Sequence, residues 1–141
     1  MGQYWKVVNV DKKEFLNPHR LGCGLKLREQ LHTTPGTAQA LFMLCTAWGG
    51  SRGGGDFDTE KNSVIGRWAG DRIVIVGDYS EDSDLPTCQI PLSKCYPSNN
   101  SELVDISDSV AEMLEREFEG KYTDCDGWAR FEQTAPRGQG D

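Results

Sequence analysis

Oxygen-bearing side chains stand at alternate positions in the stretch Asp78-Tyr79-Ser80-Glu81-Asp82-Ser83-Asp84. That spacing would let Asp78, Ser80, Asp82 and Asp84 converge on a hard cation, which binds by gathering several oxygens. The match to a calcium loop then breaks. Ser83 stands where the sharp turn wants glycine, Gln89 stands where a bidentate glutamate belongs, and no helix clearly precedes the segment. It reads first as a solvated acidic turn, with a metal site as the alternative.

A second stretch, Gly49-Gly50-Ser51-Arg52-Gly53-Gly54-Gly55-Asp56, could present consecutive backbone N–H groups to an anion, with Arg52 adding a charged fork. The ligand-site version of this reading takes Arg52, Gly53, Gly54, Gly55 and Trp68 as the lining. Phosphate loops run from a strand into a helix, whereas this stretch follows a helical pattern and lacks a Gly-Lys-Ser/Thr ending. A flexible connector is the competing reading. For nucleophilic chemistry the choices are narrow. The two histidines are His19 and His32, and Cys23, flanked by glycines and near His19, reads as the least buried thiol. The carboxylate pairs Asp56 with Asp58 and Asp71 with Asp78 are what an acidic chain supplies without catalytic meaning. No catalytic constellation emerges, and no cofactor is expected.

The elements that must position these residues follow from periodicity. Residues 4–10 alternate and are rich in β-branched and aromatic types, and a polar turn leads to Phe15-Leu16, so a hairpin is predicted. A short amphipathic helix follows through Leu25, Leu27 and Leu31. Thr34 before Pro35 has the form of an N-cap, and Ala38, Leu41, Phe42, Cys45 and Trp48 recur at helical spacing. Because Met43 and Leu44 make the opposite side apolar, helix 35–48 should be largely buried, with Cys45 an inert interior thiol. Residues 64–68 and 72–76, joined by Ala69-Gly70-Asp71, predict a second hairpin whose latter strand, apolar on both faces, belongs inside the sheet. A strand at 103–106 precedes a helix over 108–119, capped by Ser107 or Asp108. Its apolar stripe is Val110, Met113, Leu114 and Phe118, and Gly120 stands at the stop. Segment 122–131 suggests a last strand. The fold class is therefore α+β, a mostly antiparallel sheet with the two main helices on one face, in a single domain over 1–133 with a flexible tail over 134–141. The four tryptophans, Trp5, Trp48, Trp68 and Trp128, each lie beside an apolar element and read as core packing.

The chain has 141 residues and a net charge of −7, unevenly spread: about +4 over residues 1–53 and −11 over 54–141. Such a balance argues against neutralising phosphates on nucleic acid, and no apolar stretch reaches the ~18 residues that cross a bilayer. The five cysteines are an odd number with no C-x-x-C pair, so reduced thiols and a cytoplasmic setting are expected.

Met1-Gly2-Gln3-Tyr4-Trp5-Lys6-Val7-Val8-Asn9 with Asp11-Lys12-Lys13-Glu14, and the block Gly66-Arg67-Trp68-Ala69-Gly70-Asp71-Arg72-Ile73-Val74-Ile75-Val76-Gly77-Asp78-Tyr79, resemble two recurrent blocks of a family of small hypothetical proteins from bacteria, archaea and phages. The resemblance implies no activity, ligand or partner. The charge map carries the functional expectation: a non-enzymatic protein-binding module whose acidic half, with Glu112, Glu115, Glu117 and Glu119 on the last helix, engages a protein with a basic surface. A phage-encoded inhibitor of a host defence complex is one form of it. Neither membrane nor direct nucleic-acid binding is expected, and self-association stays open. The alternative is a small-molecule or nucleotide-binding protein, including a metal-assisted enzyme.

Overall fold

Trp5–Asn9, with Val7 and Val8 buried on opposite faces, forms strand β1, and Glu14–Leu16 forms β2, antiparallel to it with Val7 opposite Leu16. Asn9 builds the reversal: its Oδ1 accepts the amides of Asp11 at 2.9 Å and Lys12 at 2.8 Å, the local bonding that suits asparagine to turns. These features come from a computed structural model that describes residues 2–32, 35–61 and 63–118. Thr34, Glu119, Gly120, Cys125, Trp128, the strand expected at 122–131 and the tail 134–141 lie outside the described residues.

Strand β3, Ile73–Gly77, runs antiparallel along the other side of β1, and β4, Val104–Asp105, lies parallel to β2. The order β3-β1-β2-β4 makes a mixed, mostly antiparallel sheet, and the protein is of the α+β class that the patterning predicts. Helices are α1 (Leu27–His32), α2 (Thr37–Cys45), α3 (Leu92–Cys95) and α4 (Ser107–Phe118). No helix among the described residues is long and apolar enough to cross a membrane.

Both faces of the sheet are covered. On one, Val7 and Leu16 pack with Ala40, Met43 and Leu44 of α2, with Val110, Met113 and Leu114 of α4, and with Trp68. On the other, Val8 and Val76 meet Leu92, Cys95, Tyr96 and Leu103. The two main helices thus share one face, as predicted, and each fully buried Val or Leu contributes roughly 1.5–3 kcal/mol relative to exposure. The α4 stripe is the predicted one, with Phe118 partly buried at its end.

The second hairpin is a correction. Only its latter half is a strand; residues 63–70 coil through successive turns, with Arg67 N–H donating to Val64 O and Ala69 N–H to Gly66 O. The cause lies in α2. A helix leaves its last carbonyls without partners inside the helix, and the amides of Gly66 and Trp68 reach those of Met43 (3.0 Å) and Leu44 (2.9 Å). Nor is β3 interior: among the described strands it stands at the sheet's edge, with Ile75 46% exposed.

Helix α2 also departs from expectation. It begins after Gly36, whose amide donates to Gln39 Oε1 at 2.8 Å, and its buried stripe is Ala40, Met43 and Leu44. Phe42, placed by periodicity among the core residues, is 75% exposed, and Cys45 is exposed as well. The expected cap of α4 is replaced too. Ser107 Oγ accepts the Asn17 amide at 2.6 Å, while Asp105 Oδ1 accepts that of Ser107 at 2.8 Å.

Candidate functional site

The four oxygen donors of the acidic stretch do not converge. Asp78 Oδ1 accepts the Tyr4 amide at 2.9 Å, Ser80 Oγ that of Gly77 at 3.0 Å, Asp82 Oδ1 that of Ser93 at 2.7 Å, and Asp84 Oδ2 that of Glu81 at 2.9 Å. Each oxygen closes its own turn or ties the segment to β1 or α3. Among the described residues no three His, Cys, Asp or Glu side chains form a group able to hold a metal ion.

The glycine stretch and Trp68 are likewise not one site. Gly53, Gly54 and Gly55 are exposed, and Asp56 Oδ2 already accepts the Arg52 amide at 2.9 Å, filling with a carboxylate the place an anion would take. Trp68 is fully buried and donates Nε1–H to Glu14 Oε1 at 2.8 Å, so its ring offers no surface to a ligand there. Trp48 packs edge-on against Phe57, 5.5 Å between ring centres.

The thiol assignments exchange places. Cys23 is buried and accepts the Thr37 amide at 3.2 Å, while His19 is exposed, and Cys45, expected inside, is outside. Cys88 and Cys95 sit with Sγ atoms 3.9 Å apart beneath the second sheet face. Burial, and then the neighbouring Cys88, push the Cys95 thiol up to about 12. Since the thiolate is the reactive form, Cys95 in native protein is expected to stay unlabelled by iodoacetamide at pH 7.5 and to react only in denaturant, read by peptide mass mapping; labelling at the rate of Cys45 would contradict this.

A buried polar cluster joins the hairpin to the coiled segment. Glu14 accepts from Trp68 Nε1 and from Arg67 Nε at 3.0 Å, with Arg67 Nη2 closer still. Burial alone would raise its pKa, but the bonds from Arg67 and Trp68 outweigh that and hold the carboxyl below its ordinary value. Beside it Asp71 accepts from Lys12 and, at 2.8 Å, from Asn9 Nδ2, and those bonds lower its pKa. Glu14, held by Arg67 and Trp68, and Asp71, held through Oδ2 by Lys12 and Asn9, fasten the coiled segment to the hairpin.

Among the described residues the acidic side chains do not form one face. Glu112 and Glu115 are exposed on α4, but Glu117, expected at the partner surface, is 7% exposed. Its carboxylate turns inward to accept the Asp58 amide at 2.9 and 3.1 Å and the Thr59 hydroxyl. The acidic turn, bonded to α3, belongs to the opposite side of the sheet from α4.

A different place stands open. Between α1 and α2, over the β3 edge, lies a half-open groove of about 380 Å³. It is walled by Leu27 and Leu31 of α1, Leu41, Phe42 and Cys45 of α2, and Ile75 of β3, with Val7 in its floor. Leu31 is 64% and Leu27 41% exposed, beside Phe42 and Ile75. Among the described residues none that lines it is charged. Gln30 and Thr37 are its polar members: Gln30 Nε2 donates to Trp5 O at 2.8 Å and Leu25 O at 3.0 Å, and the Thr37 hydroxyl meets Cys23 Sγ. Sequence reasoning missed this site. The available signal was the second apolar stripe of α2, Leu41, Phe42 and Cys45, repeated by Leu27 and Leu31 at i, i+4 spacing in α1.

No family model, no curated protein and no solved structure matches this chain. The functional reading therefore rests on its own residues.

Proposed function

We propose that this chain is a non-enzymatic protein-binding module whose docking surface is the apolar face made by α1, α2 and β3. One observation carries the reading: Leu27, Leu31, Phe42 and Ile75, from three separate elements, stay exposed around a single uncharged groove. Contiguous apolar surface on a soluble fold marks an interaction site far more often than isolated exposed residues do. The groove is preferred to the charge-driven version of protein binding because, among the described residues, the carboxylates are divided between opposite sides of the sheet and Glu117 is buried.

A photoreactive phenylalanine analogue at position 42, compared with one at position 112, tests the choice in living cells. Adducts of polypeptide mass at 42 and none at 112 are expected. Adducts confined to 112 would return the acidic helix as the docking surface, and adducts of only a few hundred daltons at 42 would make the groove a small-ligand site.

A further inference from the structure

We infer that the polypeptide docked on this face is a second copy of the chain, joined edge to edge through β3; this rests on the binding-module reading above and names its partner. The argument starts from the backbone of β3. Arg72 O accepts from Val10 N–H at 3.0 Å and Asp78 N–H donates to Tyr4 O at 2.9 Å. In an antiparallel ladder successive residues turn their N–H and C=O to opposite sides. Val74 and Val76 therefore face β1, and Ile73, Ile75 and Gly77 face outward. Gly77 is already occupied, its N–H donating to Ser80 Oγ and its carbonyl accepting from Ser80 N–H at 3.1 Å. Ile73 and Ile75 keep four backbone groups with no partner among the described residues.

One register joins all four. With two copies antiparallel about a two-fold axis at Val74, Ile73 of each stands opposite Ile75 of the other, and every free amide meets a free carbonyl in four N–H···O bonds. Moving the axis to Ile75 would set Ile73 against Gly77, whose groups the Ser80 turn already holds. The side chains agree with the backbone. Ile73 packs against the α2-side core and Ile75 lines the groove, so both grooves adjoin the axis on the same face of a continuous eight-stranded sheet, and Phe42 and Leu31 of one copy face those of the other.

Among the described residues the edge is also undefended. Natural edge strands carry a charge, a proline or a bulge against pairing, and Ile73-Val74-Ile75-Val76-Gly77 has none of these. The copies each carry −7, but the groove is uncharged, so their repulsion acts only at a distance and salt screens it. A contact of four backbone hydrogen bonds and the side chains around one groove on each copy suits a concentration-dependent equilibrium rather than an obligate assembly.

Sedimentation equilibrium of the full chain tests this. The expected mass rises with concentration from 15.7 kDa toward twice that value, and rises further with added sodium chloride. Ile75→Lys and, separately, Phe42→Asp are expected to sediment as monomers with unchanged far-UV circular dichroism; the two positions lie on different elements, so misfolding of one leaves the other informative. Val74→Cys at the axis is expected to give an intermolecular 74–74 disulfide under mild oxidation, since facing residues at a non-hydrogen-bonded position stand within bridging distance. A wild-type chain that stays monomeric at every concentration and salt would overturn the second-copy inference. If the position-42 photoadduct then contains another protein, the docking reading survives; if there is no adduct either, both fail. A wild-type dimer untouched by Ile75→Lys and Phe42→Asp would also overturn it.

Discussion

Glu14→Ala is expected to lower the unfolding free energy by on the order of 2–3 kcal/mol, and the melting temperature by roughly 6–12 °C. The substitution strands the indole N–H of Trp68, a fully buried residue whose Nε1 donates to Glu14 Oε1 at 2.8 Å. The loss of Arg67 as a partner counts for less. That side chain is 46% exposed, and water screens the charge left behind. Glu14→Gln keeps an acceptor for Trp68 and should cost about 1 kcal/mol. In a Trp68→Phe background, Glu14→Ala should cost less than in the native chain, because the buried donor is already gone; urea unfolding of the four proteins measures the difference.

Acid separates the same pair of variants. In the folded chain Glu14 is held below its ordinary value of 4.5. The folded state therefore binds its proton less readily than the unfolded state, and the contribution to stability is complete above the unfolded value and lost as pH falls through the folded one. The stability gap between native protein and Glu14→Gln should accordingly be widest near neutrality and shrink on acidification below about 4.5. A gap that widened in acid would mean that the carboxyl is protonated in the fold.

Gly66→Ala should be the more damaging of two alanine substitutions that look alike in sequence. Gly66 and Gly70 both adopt left-handed backbone, at φ +85° and +83°. A Cβ at Gly70 would meet nothing within 4 Å, whereas one at Gly66 would stand 2.9 Å from Thr46 O and 3.1 Å from Trp48 Cβ. Gly70→Ala thus isolates the conformational cost, about 1–2 kcal/mol. Gly66→Ala adds displacement of the chain that caps α2, where Gly66 N–H donates to Met43 O. A loss of roughly 3–5 kcal/mol is expected for it, in the range of severe core damage. Chemical denaturation of both proteins decides the matter, and equal losses would mean that the carbonyl moves aside freely.

The same turn shows where sequence reasoning stops. Val64-Ile65 and Trp68 have the composition of a strand, and Ala69-Gly70-Asp71 has that of a hairpin connection. Composition states a local preference. Whether a ladder partner exists depends on what else competes for the amides, and here two carbonyls at the end of α2, those of Met43 and Leu44, compete successfully. The groove was hidden for a related reason. A helix apolar on all sides does not declare which stripe the core will take, and Phe42 with Cys45 became surface once Ala40, Met43 and Leu44 met Val7 and Leu16.

From the residues alone come the hairpin of β1 and β2, the apolar stripe of α4, the α+β class and the uneven charge along the chain. All of these depend on neighbours a few positions apart, which the periodicities of strand and helix make readable. Only the tertiary structure decided that β3 lies at an edge, that Glu14 and Glu117 turn inward while Phe42 turns out, and that Cys23 and Cys45 exchange expected places. Burial is set by which distant elements arrive to cover a side chain, and that information belongs to no single stretch of sequence.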